Sequence, residues 1–103
     1  MSLVMKRGFF DDARIRIIRK YGDRYVLIFM MLVGISENDL PNSGLYLPNG
    51  LSILEEDLPA LLGVDEKTVS GALMLFESLD MFERGEDGIM YVNYNGLFHE
   101  KAA

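Results

Sequence analysis

Between Leu51 and Leu79 the sequence writes two helices separated by a turn of only three or four residues, and the rest of the chain has to fold around that pair. Ser52-Ile53-Leu54-Glu55 has the form of a capping box. The Ser52 hydroxyl accepts from the Glu55 N–H while the Glu55 carboxylate reaches back. Leu54, Leu58, Leu61 and Leu62 repeat at helical spacing and predict one apolar face. Gly63 suits the left-handed residue that stops a helix, because glycine has no Cβ to clash there. Asp65 stands where the next helix needs an N-cap, and Glu66 lies at the positive end of its dipole. Val69, Ala72, Leu73, Phe76 and Leu79 predict the buried stripe of that helix. A short helix, a glycine turn and a longer helix make a helix-turn-helix, though a plain αα-corner has the same local signature.

The flanking segments decide between the two. Asp11 or Asp12 predicts the N-cap of a first helix running to about Tyr21, with Ala13, Ile15, Ile17 and Ile18 apolar. Just before it, one ring of Phe9-Phe10 is expected in the core and the other over the helix; stacking on nucleobases is the weaker reading. Gly22 ends this helix and Asp23 starts a second, to about Ser36, that is apolar on nearly every side and so calls for burial by the domain or by a partner. Leu45–Leu47 predicts a strand between Gly44 and Pro48. Two apolar-rich runs, Met81–Arg84 and Ile89–Val92, flank Gly85-Glu86-Asp87-Gly88 and predict a hairpin. A three-helix core followed by a hairpin, with a strand before the second helix of the motif, gives the expected fold: α+β, mostly helical, a winged helix-turn-helix with a small three-stranded antiparallel sheet. One domain is expected over residues 6–98. Residues 99–103 are expected as a flexible tail, and Met1–Leu3 carry no structural weight in this reading.

Charge bears on function. The net charge is −6, yet residues 1–24 hold seven Lys or Arg against three Asp, and residues 25–103 hold three against thirteen acidic residues. A globally acidic chain suits DNA poorly, because phosphate neutralisation supplies most non-specific affinity. Any duplex contact is therefore expected from Arg14, Arg16, Arg19, Lys20 and Arg24, with Lys67 and Arg84 assisting. Asp11, Asp12 and Asp23 lie near enough to pair with those cations instead. On the second motif helix the expected exposed positions are Glu66, Lys67, Ser70, Gly71, Met74 and Ser78, only one of them basic. Phe29, Met30 and Val33 are the candidates for a homodimer interface on the apolar helix.

No catalytic constellation is present. His99 is the single histidine, there is no cysteine, and Glu55-Glu56-Asp57 and Glu86-Asp87 lack the spacing of a calcium loop. Neither an enzyme nor a cofactor or metal is expected, and no apolar run reaches the ~18 residues of a membrane span.

With these motifs in order, the chain resembles the N-terminal domain of phage replisome organiser proteins, winged-helix modules related to DnaD-type primosome proteins. The resemblance rests on Phe9-Phe10-Asp11-Asp12 with Arg14-Ile15-Arg16-Ile17-Ile18, on Gly22-Asp23-Arg24-Tyr25 leading to Ile28 and Leu32, and on Gly44-Leu45-Tyr46-Leu47. It continues through Leu58, Ala60, Leu61 and Leu62 with Val69, Ala72, Leu73 and Phe76, then Met81-Phe82-Glu83. It implies a cytoplasmic role in replication initiation: self-association, assembly with DNA at an origin, and partnership with a replicative helicase or its loader. A winged-helix transcriptional regulator binding duplex DNA is the alternative.

Overall fold

Four helices and four short strands follow from these local signals in the computed structural model, which describes residues 2–102. In chain order they are β1 (Ser2–Met5), α1 (Ala13–Tyr21), α2 (Asp23–Ser36), α3 (Leu58–Leu62), α4 (Glu66–Ser78), β2 (Phe82–Arg84), β3 (Met90–Val92) and β4 (Phe98–Lys101). Asp12 caps α1 by accepting the Arg14 N–H at 2.9 Å. Asp65 caps α4 more fully, taking the Thr68 N–H on one oxygen at 3.0 Å and the Thr68 hydroxyl on the other at 2.7 Å. Between α3 and α4, Gly63 adopts φ +66°, the left-handed stop that the turn requires.

The core gathers one side of each helix. Ile15 and Ile18 of α1, Ile28, Phe29 and Leu32 of α2, and Leu73 and Phe76 of α4 are almost wholly enclosed. Phe29 and Phe76 meet edge to face at 5.4 Å and join α2 to α4. Phe9 is buried and touches Phe10 at 4.9 Å and Phe98 at 5.5 Å, also edge to face. Phe10 stays half exposed above α1, so the expected division of labour between the two rings holds.

Three expectations change. The predicted three-stranded sheet is replaced by two two-stranded antiparallel sheets, β1 with β4 and β2 with β3. Leu45–Leu47 does not form a strand because Leu45 divides its backbone between two neighbours. Its N–H donates to the Met90 carbonyl at 2.9 Å, and its carbonyl accepts from Ile53 at 3.0 Å. Only isolated bridges result, Gly44 with Tyr91 and Tyr46 with Ser52.

That second bridge also displaces the capping box. Ser52 is extended, and the reciprocal cap forms two residues later: Asp57 accepts the Leu54 N–H at 3.0 Å and donates its own N–H to the Leu54 carbonyl at 2.9 Å. A 3-10 turn at Glu55–Asp57 leads into α3, which is five residues long with Pro59 in its first turn. So short a helix buries one i, i+4 pair, Leu58 and Leu62, and leaves Leu54 and Leu61 about half exposed.

The third change concerns the ends. Residues 98–101, read as the edge of the domain and the start of a tail, form β4 against β1 with Ser2 opposite Lys101 and Met5 opposite Phe98. Ala103, the last of that expected tail, and Met1 lie outside the described residues. The anchor is apolar: Phe98 carries the pairing onto Phe9, beside the fully buried Leu97.

Candidate nucleic-acid interface

The cations of α1 divide by what they touch. Arg14 leans back over its own cap. Its Nε and Nη2 bond the two Asp12 oxygens, each at 3.0 Å, and Nη2 also donates to the Asn95 carbonyl at 3.0 Å. The Arg14 guanidinium beside Asp12, helped by the Arg14 N–H, holds that carboxyl below its usual range. Arg16 lies 3.6 Å from Asp11, both well exposed. Arg19 pairs with Asp23 across one turn at 3.1 Å and sits over the Phe10 ring at 5.9 Å. Lys20 has no ion-pair partner among the described residues.

Of the remaining candidates, Arg84 on β2 is bound to Glu55 in the turn before α3. Arg24, in the first turn of α2, lies over Tyr25 at 5.2 Å and forms no ion pair among the described residues. Its charge still reaches the α4 cap. Asp65 is held below its usual range chiefly by the Thr68 hydroxyl and N–H, with a smaller contribution from Arg24. Lys67, in the first turn of α4, is exposed and unpaired among the described residues. Of the seven predicted DNA cations, four are held in ion pairs, and Lys20, Arg24 and Lys67 have none among the described residues.

The face of α4 that points outward is the one the sequence predicted, with Glu66, Lys67, Ser70, Gly71, Met74 and Ser78 all exposed. The β2–β3 hairpin tip is acidic. Asp87 accepts the Ile89 N–H at 3.0 Å and the Tyr91 hydroxyl at 2.9 Å, so it serves the turn rather than a phosphate. Holding its proton against that carboxylate pushes the Tyr91 hydroxyl up to about 12.

The three self-association candidates separate as well. Phe29 and Val33 are enclosed in the core, so they present nothing to a second subunit. Met30 is half-buried and opens with Phe10 and Leu27 onto a shallow depression. Sequence reasoning missed the exposure of Leu27 on the largely apolar α2, and that of Leu54 and Leu61. Leu27 follows the exposed Asp23 by one helical turn, the spacing that puts both on one face of α2.

A family model, that of the N-terminal phage replisome organiser, matches residues 3–101. The chain belongs to this family. No match was found among curated proteins or among solved structures. Membership brings a replication-related role, and the match begins and ends within β1 and β4, so both terminal strands belong to the family's unit. Within that unit no described helix is long and apolar enough to cross a membrane.

Proposed function

We propose that this domain works in replication initiation as a non-catalytic assembly module at an origin, making a weak contact to duplex DNA while it organises protein partners. In this reading the helices and the β2–β3 hairpin are a winged helix-turn-helix, with the bridge at Gly44 marking the position of the third strand. The domain acts in the cytoplasm, associates with itself, and meets the replicative helicase or its loader. The observation that supports the reading is the pairing of cations. Arg14, Arg16, Arg19 and Arg84 each bridge a carboxylate, which among the seven candidate cations leaves Lys20, Arg24 and Lys67 for phosphate. The outer face of α4 adds no second basic side chain for reading bases in the major groove.

Salt dependence tests it. About three phosphate contacts give a slope near −3 in log affinity against log salt, whereas seven would give about −6. Fluorescence anisotropy with a labelled duplex, from low to moderate salt, is expected to return the shallow slope. Replacing Lys20, Arg24 and Lys67 together by Ala is expected to abolish the shift. A slope near −6, or duplex binding that survives the triple replacement, would reject weak contact through these three residues.

A further inference from the structure

Two unpartnered surfaces of opposite character stand on different elements. On the shoulder between α1 and α2, Phe10, Leu27 and Met30 line a depression of about 310 Å³ together with Arg19, Asp23 and Val26. Phe10 and Leu27 are 51% and 56% exposed. An adjoining hollow is bordered by Arg16, Arg19, Lys20 and Asp23. The helix-turn-helix carries the counterpart. A groove of about 440 Å³ between the start of α3 and the first turns of α4 is lined by Leu54, Pro59, Val69 and Ser70 and by three glutamates, Glu55, Glu56 and Glu66. Glu55 is taken by Arg84, while Glu56 and Glu66 have no ion-pair partner among the described residues. Among the described residues no Lys or Arg lines this groove.

We propose that the shoulder of one copy docks into the acidic groove of the next, so that copies of this chain assemble head to tail. Phe10 and Leu27 would meet Leu54 and Pro59, and Arg16 and Lys20 would face Glu56 and Glu66. Each surface is apolar in its floor and charged at its edge, with opposite signs, so neither suits a second copy of itself. Asp11 and Asp23 lie among the shoulder cations and temper their charge, which makes the apolar contact a necessary part of the docking. Because the two patches differ, the contact is heterologous and propagates into a ring or an open filament instead of closing as a twofold dimer. The inference rests on the assembly reading above and supplies its geometry.

The test is sedimentation velocity of the whole chain without DNA, across concentration, at low salt and at about 0.5 M, where exposed charges are screened within a few ångströms. Mass is expected to grow with concentration at low salt and fall back at high salt. Glu56→Lys with Glu66→Lys, and separately Arg16→Glu with Lys20→Glu, are each expected to weaken association at least tenfold. An equimolar mixture of the two variants restores opposite signs at both contacts and is expected to reassemble. Circular dichroism melts of each variant check that the fold is kept. A wild-type chain that stays monomeric, variants that still associate alone, or a mixture that fails to reassemble would each overturn the docking. The duplex titration is independent: a monomeric chain that keeps the shallow salt slope sinks the docking and leaves the origin contact standing.

Discussion

Over nine residues α1 carries four cations, Arg14, Arg16, Arg19 and Lys20, whereas α4 carries only Lys67 over thirteen. Both helices start from an aspartate cap and both turn one polar face outward. Yet each ends with a single cation free of an ion pair among the described residues, Lys20 on one and Lys67 on the other. The difference is where the acids stand. Asp11, Asp12 and Asp23 bracket α1 at pairing distance and absorb its arginines. What a helix offers to phosphate is thus its count of unpaired cations, and the richer sequence gives no richer surface.

The largest expected effect breaks what the two helices share. Phe76→Ala removes the α4 side of the edge-to-face contact with Phe29 and opens a cavity, at a cost of ~3–5 kcal/mol. Chemical denaturation is expected to show a chain near or past its unfolding midpoint, and an unchanged midpoint would mean that Phe76 does not join α2 to α4. Next comes Arg14→Ala. Its pair with Asp12 is about three-quarters buried on the arginine side and it also ties down the Asn95 carbonyl, so about 1 kcal/mol is expected after allowance for screening. Arg16→Ala, with both partners in open solvent, is expected to change the melting temperature hardly at all. Equal losses from the two arginines would erase the distinction between a part-buried and an exposed ion pair on α1.

Acid sharpens the comparison of the caps. Asp12 and Asp65 are both held below their usual range in the folded state, Asp12 chiefly by Arg14 and Asp65 chiefly by Thr68. Their support is therefore full above the unfolded value of about 3.9 and is lost as pH falls through the lower folded values. Melting temperature is expected to drop on acidification below about pH 4, and Asp65→Asn to flatten part of that drop. The smallest effect is spectroscopic. Of the five tyrosines, Tyr91 is expected to ionise late, near 12, in an absorbance titration, and Asp87→Asn to bring it back toward the others. Tyr94 is also raised, mainly by burial and by its bond to Glu100, and is expected to keep its position in that variant.

What the sequence made legible was local. The Asp12 and Asp65 caps, the Gly63 stop, the span of α2 and the turn at Gly85–Gly88 all depend on residues a few positions apart. The buried stripe of α4 was readable for the same reason, except that Leu79 is only half enclosed. What escaped it involved distance or competition. Leu45 could not be seen to serve two neighbours at once, and Ser52 looked like a cap until its bridge to Tyr46 claimed it. At the site, the Arg19–Asp23 pair followed from i, i+4 spacing. Arg14 on Asn95 and Arg84 on Glu55 span 81 and 29 residues and leave no local mark.

The closure of the chain by β1 and β4 has a mechanical side. Ser2 and Lys101 are opposite one another at the open end of an antiparallel pair whose hydrogen bonds run across the strands. Tension applied at the two ends therefore bears on that pair first and peels it one bond at a time, like a zipper, before it reaches the helices. The domain would yield softly at its ends under load while Phe29 and Phe76 still hold its middle together.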